Sequence, residues 1–348
     1  DITANSASLA EDASDDDDVL TMASTGDAIS GAGFSISTNG ADGDSDGNLP
    51  FKITAGSGLV EVNDAGDLDR ETTASYSIVI TASDGTAAVT ETVVITITDV
   101  NDNTPEFDND DGDGSTATAA ASVAENVAAV GTYDGTDADS GDTLVYTIRT
   151  AAQAGASVDH DLFSIVSGTG VLTFGSAPDF EAPGCGAGNN ANTCVVVLMV
   201  SDGTNTDTIT VTVTVTAAND NTPVFDDDDS DGDTATAAAS VAENVAAVGT
   251  YDGTDADAAD TLVYTIRTAA QAGTSVDHDL FSIVSGTGVL TFSSAPNYEA
   301  PGCGAGNNAN TCVVVLMVSD GTNTDTITVS VTVTAVNDNT PVFDDDDS

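Results

Sequence analysis

Self-repetition is the strongest constraint on this chain. Asn101-Asp102-Asn103-Thr104-Pro105 returns as Asn219–Pro223 and again as Asn337–Pro341, each copy 118 residues after the last. A fixed period of this length marks a folding unit used in tandem. The units divide as 1–105, 106–223 and 224–341, with 342–348 opening a further acidic linker. Units two and three differ at about eight positions between Ser122 and Phe225. A unit of this size is large enough to bury its own core. Phe343–Ser348 repeats the residues that open the insert at Phe225–Ser230, so the array is expected to continue.

Within each unit the apolar residues alternate. Ile209, Val211, Val213 and Val215 are separated by Thr, the period-two pattern of a half-buried strand. Phe163–Ile165 and Val171–Phe174 flank Gly168-Thr169-Gly170, a hairpin with its turn. In the first unit Phe34–Ile36, Phe51–Thr54, Gly58–Val62, Tyr76–Ser83 and Val89–Thr98 read as strands. Ala119–Ala121 and Ala128–Ala129 are too short, and too closely flanked by Thr and Val, for a helix. About seven short strands per unit predict an all-β fold of antiparallel, seven-stranded, Greek-key sandwiches.

Charge narrows the partners. The chain carries 58 acidic residues against four Lys and Arg, a formal net charge of −54. Such a surface repels nucleic-acid phosphates and anionic lipid heads. No apolar run approaches membrane-spanning length, so no membrane insertion is expected. High charge with few aromatics is also a signature of disorder. The 40% hydrophobic content and the strand pattern argue instead for a folded acidic chain whose repulsion is relieved by cations. Cys185 and Cys194 recur as Cys303 and Cys312. Local repeated pairs read as disulfides and as an oxidising, extracellular setting, because no His or further Cys lies near to complete a thiolate metal site.

The connectors carry the chemistry. Asp99, Asn101, Asp102 and Asn103 crowd oxygen-bearing side chains at a strand exit, which suits a hard cation such as Ca2+. Pro105 behind them favours an extended link. Asp42-Gly43-Asp44-Ser45-Asp46-Gly47 has the Asp-x-Asp-x-Asp-Gly spacing of a Ca2+ loop but lacks a bidentate Glu at its twelfth position, so a metal loop and an exposed acidic turn stand equal. The acidic inserts Asp108–Asp113 and Asp226–Asp233 are open to the same two readings. His160 and His278, each flanked by Asp, read as structural. No nucleophile-elbow, zinc-helix or phosphate-loop motif occurs, so an enzyme is not expected.

Four separated motifs, in one order, resemble the cadherin repeat family. They are the first-strand Glu of Val-Ala-Glu-Asn, the Asp-Arg-Glu turn, the Asp-x-Asp pair and the Asn-Asp-Asn connector. The resemblance implies about three Ca2+ ions per complete joint, held by oxygen ligands from both neighbours. At the first joint it assigns Glu11, Asp69, Glu71, Asp99, Asn101, Asp102 and Asn103, with Asp137, Asp139 and Asp202 from the second unit. At the second it assigns Glu125, Asp179, Glu181, Asn219, Asp220 and Asn221, with Asp255, Asp257 and Asp320. At the third, Glu243, Glu299, Asn337, Asp338 and Asn339 remain.

The departures are informative. Asp99 is replaced by Ala217 and Ala335, and the Asp-Arg-Glu turn decays to Asp179-Phe180-Glu181 and Asn297-Tyr298-Glu299. The third joint should therefore bind metal least well. Only Asp27 stands where the first unit should carry an Asp-x-Asp pair. There is no Trp, so adhesion by an inserted tryptophan is not implied. The resemblance implies a non-enzymatic extracellular or cell-surface protein, a calcium-rigidified structural or adhesive rod that self-associates or binds other surface proteins. The alternative is a calcium-dependent module binding polysaccharide or protein, with Tyr133, Tyr251 and the disulfide loops as contacts.

Overall fold

The structure, a computed structural model, describes residues 2–3, 6–25, 33–107, 118–150, 159–186, 188, 190–226, 236–257, 260–268, 277–304 and 309–342. Asp27, Asp108–Asp113, Asp227–Asp233 and Phe343–Ser348 lie outside these residues. The chain divides into two compact units. One comprises Asp1–Pro178 with Gly184–Val215, the other Asp179–Pro183 with Thr216–Ser348.

The first unit contains two sets of sheets. In the first set a four-stranded sheet runs in the order Ala7–Ala10, Ala88–Thr98, Ser75–Ser83, Gly33–Thr38, with a three-stranded sheet of Asp18–Thr21, Leu59–Val62 and Phe51–Ile53. Alternation does what the sequence pattern requires. Tyr76, Ile78, Ile80 and Ala82 turn inward with Val93, Ile95 and Ile97, and meet Met22, Phe34, Phe51, Val60 and Val62. Each such large apolar side chain contributes roughly 1.5–3 kcal/mol on full burial. The second set repeats this plan with Thr118–Ala124, Thr206–Thr216, Thr193–Ser201 and Val145–Ile148, and with Ala129–Thr132, Val171–Phe174 and Phe163–Ile165.

The second unit holds one set. Its sheets are Thr236–Ala242, Thr324–Thr334, Thr311–Ser319, Val263–Ile266, and Ala247–Thr250, Val289–Phe292, Phe281–Ile283. The Ala-rich stretches are not helical, as expected: Ala119–Ala121 lies in Thr118–Ala124, and Ala129 opens Ala129–Thr132. The hairpin turn depends on glycine. Gly170 has φ +65°, and a Cβ there would fall 2.0 Å from the Tyr133 carbonyl oxygen.

One expectation is corrected. The sheets are not wholly antiparallel, because Ala7–Ala10 pairs parallel to Ala88–Thr98, from Ala7↔Ile95 to Ala10↔Thr98. Thr236–Ala242 pairs parallel to Thr324–Thr334 in the same way. First and last strands are separated by a whole repeat, so no hairpin dictates their relative direction. The consequence is functional. Both strands exit at one end, and Glu11 arrives beside the connector, its N–H donating to Thr98 O at 3.2 Å.

Both disulfides form, Cys185–Cys194 and Cys303–Cys312, with Cα atoms 4.8 Å apart. Each loop is held by an aspartate. Asp159 accepts from Gly186 N at 2.7 Å and Val195 N at 2.8 Å, and Asp277 accepts from Gly304 N and Val313 N. His160 begins the 3-10 turn His160–Leu162, with Nε2 3.3 Å from Asp161 Oδ1. Asp159 and Asp277, beside the histidines, thus serve the fold.

Candidate metal centre

The centre is built from the buried acids outward. Among the described residues the buried charged groups are Glu11, Asp67, Glu125, Asp139, Glu243 and Asp257, all acidic. A buried carboxylate is costly unless it is hydrogen-bonded or coordinates a metal. Glu11 uses its two oxygens to join two segments. Oε1 accepts from Val100 N and Oε2 from Arg70 N, each at 2.6 Å. It therefore ties the connector to the Asp-Arg-Glu turn. Glu243 repeats the arrangement with Val336 N at 2.7 Å and Tyr298 N at 2.9 Å. Those N–H groups, Val336 first, hold the Glu243 carboxyl below its ordinary range against the effect of burial.

The next repeat grips the same connector. Asp139 accepts from Asn103 N at 2.9 Å and from Asn103 Nδ2 at 2.7 Å. Its own N–H donates to Asp137 Oδ1 at 3.0 Å. Asp202 Oδ1 accepts from Thr204 N and Asn205 N at 2.6 and 2.7 Å, and Asn205 Nδ2 donates to Asn103 O at 2.7 Å. Carboxylate oxygens of Glu11, Glu71 and Asp102 lie within 4.8 Å of one another, as do those of Glu71, Asp99 and Asp139. Asp69 also caps its own turn, its oxygens accepting from Thr72 N at 3.0 Å and Thr72 Oγ1 at 2.7 Å.

Crowding shows in the electrostatics. Burial, then hydrogen bonding to Asp99, then the charges of Glu11 and Asp99 push the Glu71 carboxyl up to about 7. Burial also raises Asp102, helped by Glu11, Asp139, Asp69 and Asp12. Asp142 is raised by burial and by Asp139, Asp137, Asp202 and Asp99. At Asp202 burial acts upward, but the N–H groups of Thr204 and Asn205 and the Asn101 side chain bring it below its ordinary value.

Four side-chain oxygens here are buried without a hydrogen-bond partner: Asp99 Oδ1, Asn101 Oδ1, Asp137 Oδ2 and Asp202 Oδ2. Buried acceptors are rarely left unpaired, and each needs an explanation. Among the described residues no Lys or Arg ion pair reaches them, Lys52 being paired with Asp16. Acceptors without donors, all oxygen, fit a hard cation.

The second unit repeats the downstream half. Asp257 accepts from Asn221 N at 2.9 Å, Asn221 Nδ2 at 3.0 Å and Asp220 N at 3.1 Å. The Asn221 side chain is the largest influence lowering its pKa. Oxygens of Glu181, Asp220 and Asp257 lie within 4.8 Å of one another. Asn219 Oδ1, Asp255 Oδ2 and Asp320 Oδ2 are buried without partners. Ala217 brings no side-chain oxygen. Asp179 Oδ1 accepts from Ala182 N at 2.8 Å, and Asn297 Oδ1 accepts from Ala300 N at 2.9 Å. The Asp-to-Asn change therefore keeps the turn and removes only the charge. Glu299 is a further influence lowering the Glu243 carboxyl, and Asn337, Asp338 and Asn339 are exposed. Asp338 Oδ2 accepts from Asn244 Nδ2 at 2.7 Å.

Sequence reasoning missed two residue pairs. Asn101 Nδ2 donates to Asp142, and Asn219 Nδ2 donates to Asp260. Asn205 and Asn323 bind the carbonyls of Asn103 and Asn221. A signal existed for the acids. Ser140-Gly141 becomes Ala258-Ala259 between the copies, while the Asp on either side is kept. Tyr133 and Tyr251, named as surface contacts, are half-buried with their phenols raised by burial.

No family profile matches the chain. Among curated proteins it is 40% identical over 105 residues to protocadherin Fat 4 of Mus musculus, covering 29% of this chain and 2% of that protein. It is 38% identical over 126 residues to the protein dachsous of Drosophila melanogaster, covering 34% and 3%. Cadherin-23 of Homo sapiens matches at 34% over 108 residues, covering 30% and 3%. The chain thus spans a few per cent of the length of these relatives, about 2–3%. Mouse cadherin-23 EC22-24 aligns with 96% of this chain and 96% of its own at TM-score 0.54 and 19% identity. Protocadherin gammaB7 EC3-6 aligns with 95% and 75% at TM-score 0.63 and 22% identity. The matched proteins are cadherins and protocadherins, and the chain is similar to their repeats.

A cadherin repeat accounts for the tandem Ig-like sandwiches, which the solved structures share at the level of fold. Human desmocollin-1 ectodomain, at TM-score 0.58 and 23% identity over 97% of this chain and 61% of its own, is by its description an extracellular piece. The two disulfides of this cadherin-like chain agree with that compartment.

Proposed function

We propose that the chain is a non-enzymatic, extracellular or cell-surface structural or adhesive segment whose repeats, 1–105, 106–223 and 224–341, are stiffened at their joints by Ca2+. The observation that carries this reading is the set of buried, unpaired oxygens on Asp99, Asn101, Asp137 and Asp202. Glu11, Asp69, Glu71, Asp99, Asn101, Asp102, Asn103, Asp137, Asp139 and Asp202 would hold the ions of the first joint. Asp179, Glu181, Asn219, Asp220, Asn221, Asp255, Asp257 and Asp320 would serve the second, with Glu125 assigned from its place in the sequence. Glu243, Glu299, Asn337, Asp338 and Asn339 would serve the third.

When bound, Ca2+ supplies the positive charge and the flexible oxygen coordination that such a cluster lacks. The chain's own residues do the rest. Glu11 holds connector and turn together from one side, and Asp139 with Asn205 holds the connector from the other. Ionised carboxylates within 4.8 Å repel by about 1–3.5 kcal/mol per pair, from water-like to surface-like dielectric. Neutralising that repulsion converts a strained joint into a stiff one. Extracellular modules bind Ca2+ at about 0.1–1 mM, which suits calcium-rich surroundings. Self-association or binding to other surface proteins is the partner class implied. The polysaccharide alternative gains no observation and is set aside.

Small-angle scattering of the chain with Ca2+ and with a chelator tests the clamp. A longer, less flexible particle with Ca2+ is expected. Identical curves in both conditions would sink it.

A further inference from the structure

Repeat 1 carries an acidic loop that the joint does not use. Asp42-Gly43-Asp44-Ser45-Asp46-Gly47 links Gly33–Thr38 to Phe51–Ile53. The loop closes on its own carboxylates. Asp46 N donates to Asp42 Oδ1 at 3.2 Å and Asp44 Oδ1 at 3.1 Å, and Gly47 N donates to Asp42 Oδ2 at 3.0 Å. Acids at the first, third and fifth positions with Gly at the sixth match a Ca2+ loop, but the twelfth position is Ile53.

The tertiary structure supplies acids in place of the missing one. The 3-10 turn Ala65–Asp67, capped by Asp64, lies against the loop so closely that a Cβ on Gly66 would fall 2.7 Å from Asp44 Oδ2. Oxygens of Asp44, Asp64 and Asp67 lie within 4.8 Å of one another, and so do those of Asp42, Asp44 and Asp46. Asp44 belongs to both groups. The deciding observation is Asp67. It is 3% exposed, its Oδ1 accepts from Gly43 N, and its Oδ2 is buried with no partner. Asp64 Oδ2 is buried and unpaired as well. The Tyr76 hydroxyl donates to the Asp67 carbonyl and fixes the turn from behind. Among the described residues no ion pair with a Lys, Arg or His reaches these acids.

We propose that Asp44, Asp64 and Asp67, with Asp42 and Asp46, form a divalent-cation site inside repeat 1, separate from the joint. An all-oxygen donor set of carboxylates selects Ca2+ over metals that favour nitrogen or sulfur. The site pins the loop to the turn that leads directly into Asp69–Glu71, so it orders one wall of the first joint. It is specific to repeat 1, because the sequence between Val145–Ile148 and Phe163–Ile165 holds only Asp159 and Asp161, that between Val263–Ile266 and Phe281–Ile283 only Asp277 and Asp279, and Asp159 and Asp277 are taken by the disulfide loops.

The test is Ca2+ stoichiometry of the full chain by equilibrium dialysis. Asp67→Asn should bind one ion fewer than the parent chain, with its circular dichroism in Ca2+ unchanged. Because Asp67 is buried, Asp44→Asn/Asp46→Asn, at two exposed positions, provides the second arm and should weaken one ion about tenfold or remove it. Asp139→Asn should instead alter joint ions and leave this one in place. Loss confined to Asp139→Asn, with both loop variants binding the parental number of ions at parental affinity, would overturn the site while leaving the joint reading intact. If Asp67→Asn misfolds, the exposed pair alone decides.

Discussion

Asp139 gives both carboxylate oxygens to one residue, Asn103, taking its backbone N–H at 2.9 Å and its side-chain Nδ2 at 2.7 Å. One side chain from repeat 2 thus fixes both the path and the rotamer of a connector residue 36 positions earlier. Asp257 and Asn221 repeat the pairing. Asn103→Ala removes the Nδ2 bond without removing a carboxylate. Hydrogen bonds to charged groups are worth about 1.5–3 kcal/mol. Urea unfolding in saturating Ca2+ should show a loss of that order, and an unchanged midpoint would mean that the pairing holds nothing.

Glu11→Gln tests the upstream half. Glutamine retains one acceptor for Val100 N or Arg70 N and presents an NH2 where the other N–H needs an oxygen. The unpaired donor should cost about 1–3 kcal/mol. Ca2+ affinity at the first joint should fall as well, while the affinity of the second stays at its parental value in calorimetric titration.

Proton linkage gives a third test. The folded Glu71 carboxyl sits near 7, raised from its ordinary 4.5. Between those values the folded chain holds a proton that the unfolded chain has lost, so stability falls as pH rises through that window. In chelator, Tm should therefore be higher at the acidic end of the window than at pH 7.5. Ca2+ must displace the proton, so uptake near pH 6.5 should release protons, seen as buffer-dependent binding enthalpy. A Tm in chelator that rises across the window contradicts this origin of the shift.

The joints should also differ. Ala217 stands where the first connector has Asp99, and Asn297 keeps the capping bond of Asp179 without its charge. Ala217→Asp should tighten the second joint roughly fivefold to tenfold, since ligand charge tunes Ca2+ affinity. On lowering Ca2+, Asn337–Asn339 should lose metal before the connectors around Asn101 and Asn219. Site-resolved titration by NMR reads both outcomes.

Removing a disulfide should leave the joints alone. Cys185→Ser/Cys194→Ser is expected to cost up to about 2.7 kcal/mol in the chain-entropy view, with Ca2+ binding unchanged. A change in joint affinity would mean that the loop reaches the metal centre.

Much of this protein is readable without coordinates. Period-two alternation in Tyr76–Ser83 and Thr206–Thr216 dictates which side chains turn inward, because a strand offers one face to the core. The local Cys pairs, the glycine turns and the acidic connectors are likewise short-range features. What the sequence could not reveal was direction and distance. The parallel pairing of Ala7–Ala10 with Ala88–Thr98 joins residues almost a full repeat apart, and it alone brings Glu11 to Val100. Asp142 and Asp260 belong to none of the four sequence motifs, and it is the fold that places them on the connector asparagines.

Asp42–Asp46 shows the division most clearly. Its spacing alone left a metal loop and a solvated turn equally open, because the decisive acids, Asp64 and Asp67, lie on a different segment. Local pattern determined the strands, the turns and the carboxylate supply of this chain, since those depend on neighbours within a few residues. Tertiary structure decided which carboxylates share a space and which oxygens are left without donors, since burial and like-charge proximity are properties of segments brought together by folding.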